Sequence, residues 1–179
     1  MEDYERNILN ELIQGKRCLG LLTPKIEIID FVIKNNLDYN NFTFSKNNSI
    51  ENIAVAPRKM VREVVTKEKI KEINLPKYEE KVVEIITSLD NTNIAKAVIK
   101  IQNYFIDNKY KSPEVDIIYG ILFGYKPCDI KYYVQTRDDG LPKHKYEDIL
   151  EQKIGNRERT IEEQHVICEE CALEYLGKI

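Results

Sequence analysis

The periodicity of the apolar residues changes once along this chain, near Pro57, and that change constrains the fold more than any other feature. Before it, short segments alternate at period two around two helical stretches. Ile8, Leu9, Leu12 and Ile13 mark a first helix over Tyr4 to Ile13, which Gly15 stops. Arg17 to Leu22 reads as a short buried strand, and Thr23-Pro24 then supplies an N-cap and a helix-starting proline. The helix that follows, Lys25 to Asn35, carries Ile26, Ile29, Val32 and Ile33 on one face. Asp38 to Ser45 alternates through Phe42 and Phe44, a turn falls at Lys46-Asn47-Asn48-Ser49, and Ile50 to Ala56 alternates through Ile53 and Val55. The expected product is a small mixed sheet in strand, helix, strand, strand order.

From Pro57 onward the spacing is helical. Helices are expected over Arg58 to Glu72, Lys77 to Leu89, Thr92 to Asn108, Pro113 to Phe123, Pro127 to Arg137, Lys145 to Lys153 and Thr160 to Leu176. The breaks between them carry turn chemistry, as at Asn74-Leu75-Pro76, Ser112-Pro113 and Gly124. The predicted class is therefore α+β, with a sheet module over residues 1–75 and a helical module over residues 76–179. At 179 residues and 42% hydrophobic, the chain suffices for one ordinary core or two small modules sharing a boundary.

Soft metal ligands are scarce and clustered. Of four cysteines and two histidines, three cysteines and one histidine fall in Gly124-Tyr125-Lys126-Pro127-Cys128 and His165-Val166-Ile167-Cys168-Glu169-Glu170-Cys171. His-x-x-Cys-x-x-Cys offers three ligands within one or two turns, and Cys128 can complete a tetrahedral set from a distance. Cys128, His165, Cys168 and Cys171 are the predicted metal ligands. Zinc suits them better than an iron-sulfur cluster, because it accepts mixed imidazole and thiolate ligation and needs no fourth cysteine. Pro127 at a helix start places Cys128 in the first turn, where unsatisfied N–H groups and the helix dipole favour a thiolate. A small buried cysteine between two helices would give the same pattern.

The C-terminal segment admits two geometries. A capping box at Thr160-Ile161-Glu162-Glu163 would open one continuous helix with Ile161, His165, Cys168, Ala172 and Tyr175 on a shared face. Alternatively His165-Val166-Ile167 is extended and the helix starts near Cys168, as in a metal knuckle. Both bring His165 near the thiols. A thioredoxin-type use of Cys168-Glu169-Glu170-Cys171 is disfavoured, since two carboxylates between the thiols raise a pKa that this chemistry needs lowered. A metal-dependent hydrolase would need one of the four ligand places left open to water, and a thiol hydrolase would pair Cys128 with His144 or His165 and an orienting group. Cys18, in its apolar strand, is expected to be a buried spectator.

Charged residues make up 32% of the chain with a net charge of -3, which excludes a general polyanion-coating role. A nucleotide or nucleic acid would need local patches. Pro57-Arg58-Lys59-Met60-Val61-Arg62, Gln135-Thr136-Arg137, Lys143-His144-Lys145 and Arg157-Glu158-Arg159 are such clusters, with tyrosines nearby, although interleaved acids favour solvated helix ends and loops. No Gly-rich phosphate loop, zincin helix, nucleophile elbow or calcium loop is present. The polar Met1-Glu2-Asp3-Tyr4-Glu5-Arg6 start and the absence of any long apolar run predict a soluble, cytoplasmic protein with reduced or metal-bound thiols.

Gly124, Tyr125, Pro127, Cys128 and Tyr132 or Tyr133, followed by His165, Cys168 and Cys171, resemble the pattern of a chiefly archaeal prokaryotic domain family of unknown function. Its members show Gly-Tyr-Pro-x-Cys-Cys and an aromatic, then a His-x-Pro-Cys run with another cysteine. The resemblance covers roughly the last ~60 residues and implies no known activity. The chain departs from it at Asp129, where a second cysteine is often seen, and at Ile167, where a proline would stand. A site needing that extra thiol is expected to be lost or altered here.

Overall fold

Three strands, β1 (Gly20–Leu22), β2 (Asp38–Phe42) and β3 (Asn52–Ala56), form a sheet in the order β1-β3-β2 in the computed structural model, which describes residues 1–43, 51–107, 112–138, 167–175 and 177. Both pairings are antiparallel, with Leu21 opposite Ala54 and Asn40 also opposite Ala54. The sheet is thus antiparallel throughout rather than mixed. β1 and β2 run parallel to each other, but β3 lies between them and takes the hydrogen bonds of both.

Two helical layers use the two faces of the sheet. Helices α1 (Asp3–Ile13) and α2 (Ile26–Lys34) cover one face, where Ile8, Leu9, Leu12, Ile28 and Val32 pack on Leu22, Ile53 and Val55. On the other face, Leu19, Phe42, Ala54 and Ala56 join the larger core made by the later helices. These are α3 (Val61–Val64), α4 (Lys67–Ile73), α5 (Pro76–Ser88), α6 (Ile94–Asp107), α7 (Pro113–Phe123) and α8 (Pro127–Asp138), with α9 (Glu169–Tyr175) beyond. The class is α+β. Among the described residues no helix is long and apolar enough to cross a membrane.

Further expectations need correction. Thr23-Pro24 does not start α2, whose N-cap is Lys25 and whose first residue is Ile26. α2 buries Ile28 and Val32, leaving Ile26 79% and Ile33 64% exposed. Apolar residues occupy more than one face of this helix, so spacing alone does not fix which face meets the sheet. The helix expected over Arg58 to Glu72 is two short helices, because Thr66 Oγ1 accepts from the Lys69 N–H and opens α4 afresh. Its first three residues are not helical either, and Met60 forms a bridge with Asn93. The helix expected over Lys145 to Lys153 lies outside the described residues.

The segment that carries Cys128 is fixed by local chemistry. Ser112 caps α7 by accepting from the Val115 N–H, Pro113 occupies its first position, and Gly124 ends it in the left-handed region at φ 82°. Gly120 has no room for a side chain, since a Cβ would lie 2.7 Å from Ile130, so its absence lets α7 and α8 approach. A Cβ on Gly124 would strike the Lys16 carbonyl oxygen. Nearby, the Cys18 N–H donates to the Leu122 carbonyl at 2.7 Å, so the chain entering β1 is clamped against the end of α7. Gly124→Ala should therefore cost roughly 2–4 kcal/mol, combining positive-φ strain with a backbone collision. A drop in the urea midpoint would register it, and an unchanged midpoint would refute the close approach.

Candidate metal centre

α8 is two-sided. Ile130 and Val134 point into the main core, while Cys128 and Tyr132, four residues apart, pack against a separate cluster of Ile167, Cys168, Cys171 and Ala172. Pro127 opens the helix, and the Asp129 and Ile130 N–H groups both donate to the Lys126 carbonyl, so Cys128 and Asp129 stand in the first turn. Ile167 and Cys168 are not helical and α9 begins at Glu169, with the Ala172 N–H donating to the Cys168 carbonyl at 3.0 Å. A continuous helix through Cys168 is thereby overturned at these two residues. The helix starts at the thiols, where Cys168 immediately precedes it and Cys171 lies in its first turn.

This places Cys128, Asp129, Cys168 and Cys171 together, with one ligand atom from each inside a sphere where all lie within 4.8 Å of one another. Cys128 Sγ and Cys171 Sγ are 3.5 Å apart. Asp129 Oδ1 accepts from the Cys168 N–H at 2.8 Å, and its Oδ2 accepts from the Cys171 thiol at 3.4 Å. Asp129 is 1% exposed; Cys168 and Cys171 are buried and Cys128 is half-buried. Three thiols and a carboxylate in this geometry can hold a metal ion. Across the rim, Lys126 Nζ meets Glu174 Oε2 at 2.8 Å, which raises the pKa of the ammonium and links the start of α8 to α9.

Of the four ligands read from the sequence, the structure brings Cys128, Cys168 and Cys171 together, whereas His165 lies outside the described residues, as does His144. Asp129 was missed as a partner. Its sequence signals were adjacency to Cys128 and a place where the resembling pattern often has a second cysteine, but an acid in a first helical turn has an ordinary reason to be there. Cys18 is half-buried at the edge of the main core, just before β1, and outside the thiol group. Three of the described cations in the basic clusters face acids: Arg58 meets Asp38 at 3.3 Å, Arg62 pairs with Asp90, and Arg137 with Asp116.

No protein-family model, curated protein or solved structure matches this chain.

Without a cation, the cluster is a poor place for a thiolate. Burial, then Asp129 and Cys128, push the Cys168 thiol from 9.0 up to about 12, and burial followed by the Asp129 charge pushes Cys171 up as well. A raised pKa means that the folded state favours the neutral thiol.

Proposed function

We propose that this chain is a zinc protein in which the metal fastens the C-terminal segment carrying α9 to the first turn of α8. The supporting observation is the convergence of three cysteine sulfurs and a carboxylate oxygen within 4.8 Å, two of the thiols buried. The thiolates of Cys128, Cys168 and Cys171 are the ligands, and His165, three residues before Cys168, is one candidate for the fourth place by spacing. Zinc would reverse the disfavour for thiolate, because a bound divalent cation is the largest charge in such a site and deprotonates its thiols outright.

A structural role follows from what α9 otherwise has to hold it. Among the described residues, its separate cluster buries only Ile167 and Ala172 besides the two cysteines, with Cys128 and Tyr132 packed against it. Burying an Ile contributes about 1.5–3 kcal/mol, while fixing each residue of backbone costs roughly 1–2 kcal/mol. The exposed Lys126–Glu174 pair adds at most about 1 kcal/mol. A zinc centre supplies the missing attachment, since metal binding by ligands that are dispersed in the unfolded chain is itself folding free energy.

Elemental analysis of protein purified without an affinity tag should find zinc at one equivalent per chain. Cys168→Ser should lose it and lower Tm by at least ~10 °C, given roughly 2–4 °C per kcal/mol at this chain length. Chelation should lower Tm similarly, whereas Cys18→Ala should leave the zinc content unchanged. Metal loss with an unchanged Tm would reject the structural role, and metal loss from Cys18→Ala in a folded chain would show that the wrong thiols were assigned.

A further inference from the structure

Resting on the reading that this cluster holds zinc, we infer that Asp129 supplies the fourth ligand through Oδ2, making a Cys3Asp centre. The distances already approach those of a coordination tetrahedron. With Zn–S near ~2.3 Å and Zn–O near ~2.0–2.2 Å, tetrahedral angles separate two sulfurs by about 3.8 Å and a sulfur from an oxygen by about 3.6 Å. The corresponding separations are 3.5 Å between Cys128 Sγ and Cys171 Sγ, and 3.4 Å between Cys171 Sγ and Asp129 Oδ2. An ion entering between these atoms needs adjustments of only a few tenths of an ångström along those two edges.

Charge gives the second argument. Zinc replaces the thiol proton of Cys171, so the hydrogen that now joins Sγ to Oδ2 is gone in the loaded site. A thiolate and a carboxylate then face each other at that separation in a buried place, and they are held there by a cation that both touch. A zinc bound elsewhere on the thiolates, with a histidine in the fourth place, would leave this repulsion in force. The other carboxylate oxygen is in position as an anchor: Oδ1 accepts the Cys168 N–H, which orients Oδ2 towards the sulfurs. Four anionic ligands around a divalent ion leave net negative charge, which the Lys126 ammonium and the N-terminal N–H groups of α8 oppose.

X-ray absorption at the zinc edge of the full-length, untagged wild-type protein tests this directly. The expected first shell is three sulfurs and one oxygen, without the outer-shell scattering of an imidazole ring. An imidazole signature would overturn the inference while leaving the zinc reading intact. Wild-type protein that takes up neither zinc nor cobalt would instead remove the zinc reading, and this inference with it.

Substitutions give an independent measure, read with Co²⁺ as the probe. Asp129→Cys should keep the metal and add a fourth thiolate, raising sulfur-to-cobalt charge-transfer intensity by about one third on simple ligand counting. His165→Ala should change neither stoichiometry nor spectrum. Asp129→Asn keeps the shape and an acceptor for the Cys168 N–H, yet should weaken zinc binding beyond the 10–100-fold loss of an outer-shell partner, by more than ~100-fold. A His165→Ala protein that loses the metal, with Asp129→Asn still binding at wild-type strength, would assign the fourth place to the histidine.

Discussion

The architecture depends on one strand being apolar on both faces. Ile53, Ala54, Val55 and Ala56 are all fully buried, so β3 can exist only with helices against each side of the sheet. Ile53 and Val55 take α1 and α2; Ala54 and Ala56 face the other core, where α6 packs on the sheet. Small side chains on that second face let the helix lie close. Because β3 pairs with both neighbours, it also fixes β1 and β2 in register with the two layers. A polar residue at either of its larger apolar positions would be stranded without water.

α8 repeats this two-sidedness among the later helices. Ile130 and Val134 tie it to the main core, and Gly120 lets α7 sit directly against Ile130. The opposite side offers Cys128, Asp129 and Tyr132 to a cluster that, among the described residues, adds only Ile167 and Ala172 to the two cysteines. Half of the candidate metal centre is therefore built on a well-supported element. The other half arrives on a short helix whose start coincides with its ligands. This asymmetry makes Cys128 and Asp129 the template and Cys168 and Cys171 the clasp.

What the sequence made legible was mostly what local chemistry controls. Ser112-Pro113, Gly124 and Pro127 delimit α7 and the start of α8 where they were expected, because caps, prolines and left-handed glycines act within a few residues. The phase of α2 was not legible, since choosing Ile28 and Val32 over Ile26 and Ile33 depends on where the sheet lies. The break between α3 and α4 was hidden because Thr66 follows Val64 and Val65, and its capping role shows only when the chain turns. At the centre, the spacing of Cys168 and Cys171 and the helix-start position of Cys128 carried their convergence. Asp129 read as a departure from a thiol pattern, yet it lies inside the group. Its part depends on the long-range approach of Cys168 and Cys171, which adjacency to Cys128 does not encode.

Cys128 and Cys171 touch across 43 positions of chain. A metal shared by these sulfurs is a crosslink as well as a set of bonds, and a crosslink acts on the unfolded ensemble. Closing a loop of that length removes conformational freedom worth about 4 kcal/mol on a chain-entropy estimate, insofar as the ion stays bound when the rest of the chain opens. The unfolded molecule would then keep the ends of this loop together, so refolding would begin with α8 and α9 already neighbours.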